Sequence, residues 1–243
     1  MTSGTLAGSL WISAGGAAGL AAAPVLADQV ARLSVRSGEP EQTSCLACAA
    51  TLPGPPALHC GHCGTWIGAP MAIETAAVAV TALLFARIGI HPAVAAFAFL
   101  GVTGVALAQI DLAVQRLPDR LTLAGYPALL VLLALAAAVT GSWTAFGRAL
   151  LGGMALGVSY LVLALISSGQ LGGGDVKLAG LIGLALGWAG WRTLIAGAIL
   201  GFLLAAVIGL AGLVVRRISR HSMISFGPFM LAGAMLAVLA TSW

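Results

Sequence analysis

Two aspartates stand at the borders of long apolar runs, where carboxylates are rare. Asp111 ends one run, and Asp175 follows three glycines, Gly172, Gly173 and Gly174. An ionisable group at membrane depth costs about 3 kcal/mol or more at a helix centre, so such groups usually mark a functional site. Two carboxylates that share a site cannot both ionise easily, and one keeps its proton at neutral pH. The pair therefore predicts an acid and a base that together activate water against an amide bond.

The glycines before Asp175 permit backbone conformations and close approaches that other residues do not. We expect Gly172, Gly173 and Gly174 to end the preceding helix and to let a substrate backbone approach Asp175. Lys177, two residues further on, is expected to support the site by orienting or tuning the carboxylates. The alternative is a flexible loop between helices, with Asp175 and Lys177 solvated at its edge.

All four cysteines lie in one polar segment, as two Cys-x-x-Cys pairs formed by Cys45 with Cys48 and by Cys60 with Cys63. Each pair can present two thiolates to one ion, and two pairs complete a tetrahedral zinc site. Four thiolates close the coordination sphere, so we expect a structural metal. The other interpretation is two disulfides, which require an oxidising compartment.

The composition is typical of a membrane protein. Hydrophobic residues make up 60% of the 243 residues and charged residues only 7%, against about 25% charged residues in a soluble domain. The apolar runs are continuous and lack the alternation of an outer-membrane barrel. We predict an all-α polytopic membrane protein of about eight transmembrane helices with one cytoplasmic zinc loop, in which the four cysteines are the ligands. The predicted spans are 6–27, 70–86, 92–110, 121–140, 148–168, 178–190, 193–215 and 226–243, of which 178–190 is short for a full crossing.

The basic residues indicate the orientation of these spans. If the spans alternate, one side carries eight of the 11 lysines and arginines, and we take that side as cytoplasmic. The cysteine loop, Asp111 and Asp175 then share the cytoplasmic face. The predicted regions are a first helix over 1–27, a cytoplasmic zinc loop over 28–69 and a transmembrane core over 70–243. The basic residues assigned to the cytoplasmic side are Arg32, Arg36, Arg116, Arg120, Lys177, Arg216, Arg217 and Arg220, and those assigned to the opposite side are Arg87, Arg148 and Arg192.

The segment after Asp111 is expected to be short and amphipathic. Pro118 should break it before the next span, because proline removes a backbone donor and clashes within a helix. Asp119 and Arg120 are interpreted as anchors at the membrane interface, and Asp119 also as a supporting residue of the site.

Together these motifs resemble the two active-site signatures of the type IV prepilin peptidases, which are intramembrane aspartic peptidases of the GxGD type. The resemblance covers most of the chain, from about Gly19 to Phe229. It implies that Asp111 and Asp175 are the catalytic pair and that proteolysis needs no metal. It rests on Ile110-Asp111 with Arg116-Leu117-Pro118-Asp119, on Gly172-Gly173-Gly174-Asp175-Val176-Lys177-Leu178, and on Cys60-Gly61-His62-Cys63 followed by Pro70 and Glu74.

The family removes the short basic leader of type IV prepilins and pseudopilins at the cytoplasmic membrane face, cutting after a glycine. The resemblance therefore implies prepilin or pseudopilin substrates, in type IV pilus assembly or type II secretion, in the bacterial inner membrane and without nucleic acid. Many members then methylate the new N-terminus with S-adenosylmethionine. Here the first helix, from Gly19 to Ala27, lacks the family's Ser, Phe and Asn, and the loop between the cysteine pairs is short. We expect cleavage with weak or absent methylation.

Two other functions remain open at this point. A proton- or ion-coupled transporter would use the same carboxylates as ion sites. Such a transporter also predicts binding residues near the bilayer midplane on broken helices in paired halves, and we see no such pairing. A zinc-bearing assembly factor without catalysis would fit if the carboxylates of Asp111 and Asp175 lay far apart.

Overall fold

A computed structural model of the chain describes residues 3–36, 39–56, 59–67, 70–167, 171–214 and 225–243. Within these residues the structure has eight helices, and its only β-structure is two isolated bridges. The all-α fold class is confirmed, and each predicted span corresponds to one helix. The helices are α1 (Ser3–Leu33), α2 (Pro70–Ile88), α3 (Val94–Val114), α4 (Asp119–Thr140), α5 (Trp143–Ile166), α6 (Gly173–Ala189), α7 (Trp191–Val214) and α8 (Gly227–Ala240).

Six of the described helices are long and apolar enough to cross a membrane, and the chain is a multi-pass membrane protein. The two shorter helices are α6, with 17 residues, and α8, with 14. At 1.5 Å per residue α6 is about 25 Å long, against about 30 Å for the hydrocarbon core of a bilayer. The run predicted over 178–190 is therefore extended at its start, because α6 begins at Gly173 and includes Asp175.

The chain forms two compact units, residues 1–116 and 117–243. In the first unit α1 packs against α2 and α3. Glycines of α1 make the contact with α2 close, since a Cβ at Gly15 would lie 2.6 Å from the carbonyl oxygen of Thr81. Small residues at such interfaces let helix backbones approach each other in a membrane.

The first helix continues to Leu33, past the Ala27 at which its apolar run ends. Asp28 is only 2% exposed and accepts a hydrogen bond of 2.9 Å from Arg32 Nε, one helical turn later. This i,i+4 ion pair brings the two opposite charges together on one face and stabilises the helix. The helix therefore continues into the polar segment, which the sequence predicted to be a loop. The division into a first helix, a zinc loop and a core stays a prediction.

In the second unit α6 is the central helix and packs against α4, α5, α7 and α8. Every residue from Leu178 to Trp188 is buried. Helix α5 approaches α6 closely because glycines face each other. A Cβ at Gly183 would lie 2.9 Å from Gly153 Cα. This packing holds α6 firmly along its length.

Arg148 lies inside α5, which begins at Trp143 and not at Arg148 as predicted. Its Nε donates to the Gly187 carbonyl oxygen at 2.8 Å, and its Nη2 donates to that of Trp188 at 2.6 Å. Both carbonyls belong to the last turn of α6, where no helical N–H is available to them. Arg148 therefore caps the end of α6 that is remote from Asp175.

Candidate active site and metal site

Asp111 lies in the last turn of α3 and is 5% exposed. The helix ends at Val114, and Gln115 follows in the left-handed conformation with its N–H donating to the Asp111 carbonyl oxygen. The short segment predicted from Asp111 begins later than expected, because α3 itself continues through Asp111 to Val114. The C-terminal end of a helix carries a partial negative charge. The helix dipole therefore does not account for an aspartate at this position.

Asp175 lies in the first turn of α6, three residues after the N-cap residue Gly172. The Gly172 N–H donates to Asp175 Oδ2 at 3.3 Å, and the Asp175 N–H donates to the Gly172 carbonyl oxygen at 3.0 Å. Glycine has no side chain, so this is one half of a capping box. The N-terminal end of a helix carries a partial positive charge, which stabilises a carboxylate in this turn.

The glycines before Asp175 begin α6 and do not form the alternative flexible loop. None of the three has a positive φ, and Gly172 has a φ of −73°. Gly174 is required sterically, since a Cβ there would lie 2.9 Å from Leu117 Cβ. Gly173 has no neighbour within 4 Å of such a Cβ. Gly172 and Gly173 are exposed, so their backbone is open to an approaching chain.

The two supporting residues predicted near the site, Lys177 and Asp119, form an ion pair with Nζ 2.6 Å from Oδ1. Asp119 is the first residue of α4 and follows Pro118, which is extended and separates the two helices as predicted. Tyr126, also on α4, donates its hydroxyl to the Lys177 carbonyl oxygen at 2.7 Å. Sequence reasoning missed Tyr126. Its signal was a hydroxyl within an apolar span, because such a group needs a partner.

Asp111 belongs to the first compact unit and Asp175 to the second. Each lies at the end of a helix and not at its centre, Asp111 in the last turn of α3 and Asp175 in the first turn of α6. That their carboxylates meet in one site stays a prediction.

The four cysteine sulfurs all lie within 4.8 Å of one another and can hold one metal ion. Cys45 Sγ lies 3.7 Å from Cys63 Sγ, and Cys48 Sγ lies 3.6 Å from Cys60 Sγ. Tetrahedral zinc with Zn–S bonds of about 2.3 Å places its sulfurs about 3.8 Å apart. A disulfide needs about 2.05 Å, and all four cysteines are unbridged. The geometry favours a metal site over the disulfide alternative.

The two cysteine pairs lie in matching turns. In the first turn the Ala49 N–H donates to the Cys45 carbonyl oxygen at 2.9 Å, and in the second the Gly64 N–H donates to that of Cys60 at 2.9 Å. Ala49 and Gly64 are both left-handed, with φ of 58° and 69°. The same backbone turn thus occurs twice and presents two sulfurs each time.

Hydrogen bonds around the cluster favour thiolates at two cysteines. The Thr65 hydroxyl, 3.1 Å from Cys63 Sγ, lowers the pKa of Cys63 to about 6. The backbone N–H of Cys63 lowers the pKa of Cys60. At Cys48 the Ala50 N–H acts in the same direction, but burial and the neighbouring thiols together outweigh it and raise the pKa to about 12. A bound cation would let all four sulfurs carry charge.

Two arginines anchor the cysteine segment on the first unit. Arg32 Nη2 donates to the Pro53 carbonyl oxygen at 2.6 Å. Arg116 Nη1 donates to the carbonyl oxygens of Arg36 at 3.0 Å and of Val35 at 3.3 Å. Arg116 follows the helix that carries Asp111. The sequence indicated these arginines as markers of orientation, and their anchoring contacts were missed because they join distant parts of the chain.

Comparison with known proteins bears on this arrangement. A protein-family model, described as the Type IV leader peptidase family, matches residues 97–214. The matched residues include both aspartates and the Lys177–Asp119 pair. A "Prepilin leader peptidase/N-methyltransferase" of Bacillus subtilis (strain 168) is 32% identical over 184 residues, which are 74% of this chain and 70% of that protein. The chain belongs to the type IV leader peptidase family. As a member it is a peptidase, which disfavours the transporter and assembly-factor interpretations.

Two further proteins that are similar to this chain carry the same name as the Bacillus subtilis protein. The protein of Pseudomonas putida is 32% identical over 140 residues, 56% of this chain and 46% of the relative. That of Burkholderia pseudomallei (strain K96243) is 32% identical over 184 residues, 72% of this chain and 56% of the relative. The chain thus spans about half the length of these two relatives. No solved structure matches it.

Proposed function

We propose that this chain is an intramembrane aspartic endopeptidase that removes the short N-terminal leader of type IV prepilins or pseudopilins. The family match, which includes Asp111 at the end of α3 and Asp175 at the start of α6, carries the proposal. The names of the relatives support prepilins as the substrate class. The substrate and the lipid bilayer are its partners, and nothing in the chain calls for nucleic acid.

In the proposed mechanism Asp111 and Asp175 act as a pair. One carboxylate takes a proton from water as the water oxygen attacks the scissile carbonyl carbon, and the protonated partner donates a hydrogen bond to the carbonyl oxygen. We assign the base to Asp175, because the Gly172 N–H and the positive end of α6 stabilise a carboxylate there. Asp111 is then the acid. The exposed backbone of Gly172 and Gly173 supports the approach of an extended substrate.

The site is proposed to face the cytoplasm across the bacterial inner membrane. If the spans alternate, eight of the 11 lysines and arginines fall on the side that carries the cysteine segment and both aspartates. This asymmetry is typical of cytoplasmic loops. A thiolate cluster also needs a reducing compartment, which agrees with that orientation.

We propose that Cys45, Cys48, Cys60 and Cys63 hold a structural zinc ion. Their sulfur spacing of 3.6 and 3.7 Å supports this assignment. Four sulfurs leave no open coordination position for water or substrate. A bound zinc ion would stabilise the folded segment, and the peptidase chemistry would stay with the two aspartates.

Methyl transfer from S-adenosylmethionine to the new N-terminus is proposed to be weak or absent. Residues 19–27 lack the Ser, Phe and Asn of the family's first helix, and the segment between the cysteine pairs is short. The relatives include N-methyltransferase in their names, so this proposal separates the chain from them. It leaves the peptidase motifs untouched.

Intact-mass measurement of a synthetic prepilin incubated with the purified protein and S-adenosylmethionine tests both activities. We expect a product that has lost its leader and has gained no methyl group. Full addition of the mass of one CH₂ group would overturn the methylation proposal. Substrate that keeps its original mass would overturn the peptidase proposal.

A further inference from the structure

Three contacts hold the start of α6 close to Asp175, two of them to α4 and one to Leu117, which lies two residues before α4. Gly174 packs on Leu117, where a Cβ would come within 2.9 Å of the leucine Cβ. Lys177 Nζ lies 2.6 Å from Asp119 Oδ1. The Tyr126 hydroxyl donates to the Lys177 carbonyl oxygen at 2.7 Å. Two of the three contacts therefore end on a residue only two positions from Asp175.

The contact of Tyr126 fixes the register between α4 and α6. Its hydroxyl lies directly over Gly180, where any Cβ would clash with it. A glycine at this position lets the phenol ring reach the backbone of α6, one turn above Asp175. Displacement of α6 along its axis would break the bond to Lys177 and close the space over Gly180.

The charge of Lys177 is directed away from Asp175. Residues at i and i+2 of a helix do not face each other, and the Lys177 ammonium is already engaged by Asp119 on another helix. The pair is exposed, with 38% of the lysine side chain and 62% of the aspartate side chain accessible. An exposed pair contributes little to global stability, so stability alone does not account for it.

We propose that Asp119, Lys177 and Tyr126 are positioning residues. They hold the first turn of α6 on α4 and thereby fix where the Asp175 carboxylate lies, without touching the reacting atoms. The ion pair as a pair matters here, and not the positive charge of the lysine by itself. This inference rests on the proposed peptidase function.

Steady-state cleavage of a synthetic prepilin by single and paired variants tests the inference. Lys177→Gln and Asp119→Asn should each lower kcat about tenfold, less than the roughly 100-fold that a misplacement of 1 Å can cause, with KM within about twofold. Two further variants keep an ion pair: Lys177→Arg, and the double variant Asp119→Lys with Lys177→Asp, which reverses the charges. Their kcat should lie within about threefold of the wild type. Tyr126→Phe should lower kcat as well, since it removes the bond to the backbone.

Arg192→Gln is the matched control, because it removes an exposed cation at the start of α7, just beyond the end of α6 that is remote from Asp175, and should leave kcat unchanged. Wild-type kcat in Lys177→Gln or Asp119→Asn would overturn the inference. So would a loss that appears in KM, or one that persists in both Lys177→Arg and the exchange variant. Wild-type protein that cleaves no substrate would instead overturn the proposed function, which makes the two failures distinguishable.

Discussion

The two compact units of the chain hold their aspartates in different ways. In the first unit Asp111 is buried in the last turn of α3. Just after this helix, Arg116 donates to the carbonyl oxygen of Arg36 and so fastens the start of the cysteine segment beside the helix end. In the second unit Asp175 is half-buried in the first turn of α6, where glycine packing and contacts from α4 fasten it.

This difference shows that the two aspartates depend on different kinds of support. The positive end of α6 stabilises a carboxylate at Asp175. This help depends on the position of the helix backbone, so the contacts that hold the start of α6 matter most in the second unit. The end of α3 offers no such help to Asp111. We therefore expect substitutions in the first unit to act through the metal segment and those in the second unit to act through helix packing.

The largest effect on cleavage is expected from loss of either aspartate, because the proposed mechanism needs one carboxylate from each unit. Asp111→Asn and Asp175→Asn should each lower kcat/KM by about 1,000-fold or more, and the double variant should be little worse, because groups that act as a unit are not additive. Cleavage assays with thermal unfolding as a check on folding measure this. The matched control is Asp28→Asn, which removes another buried carboxylate and should lower stability while cleavage persists. Equal loss in all three variants would contradict the dyad.

The next effect separates the first unit from the second. The purified protein should contain about one zinc per chain, and Cys60→Ser should lose it, because structural sites depend on all four ligands. Protein yield and loop stability should fall more than kcat. Elemental analysis measures the metal, and His62→Gln, at a neighbour outside the cluster, should retain it. Metal-free protein with its cysteines oxidised would refute both the zinc assignment and the cytoplasmic orientation.

The eight helices could be read from the sequence because continuous apolar runs of this length have few other structures available to them. The ends of the helices were less predictable. The extension of α1 depends on the pairing of Asp28 with Arg32, and the early start of α6 depends on packing. Glycine disfavours helix in isolation, yet Gly174 lies within α6 and against Leu117. Here tertiary contact overrides propensity.

The candidate site was also predictable in part. Asp111, Asp175 and the cysteines were identifiable because such residue types are costly or rare in apolar surroundings. The pairing of Lys177 with Asp119 was not, because it joins residues 58 positions apart and exists only once α4 packs on α6. The anchoring contacts of Arg32 and Arg116 could not be predicted for the same reason.

A smaller effect sharpens the packing side of the comparison. Gly174→Ala should destabilise the protein by about 1–3 kcal/mol, because Leu117 has no room for the added methyl group. Gly173→Ala, at the adjacent position with open space, should leave stability unchanged or raise it by up to about 1 kcal/mol, as replacement of a helical glycine generally does. Denaturant unfolding of the pair measures both. Equal destabilisation would show that Leu117 does not select the glycine.

The smallest effect lies within the cysteine segment, whose two turns differ at one position. Ala49 has a φ of 58° where the second turn has Gly64 at 69°. The left-handed conformation costs alanine about 1–2 kcal/mol, which glycine avoids. Introducing a glycine in turn costs about 0.4–1 kcal/mol, because it raises the entropy of the unfolded chain. Ala49→Gly should therefore stabilise the metal segment by up to about 1.5 kcal/mol. Gly64→Ala should destabilise it by a similar amount, since nothing lies within 4 Å of a Cβ there and only the backbone conformation is at stake. The chelator concentration that removes half of the zinc should rise in the first variant and fall in the second. A shift of the same sign in both would mean that the two turns are not equivalent in the folded protein.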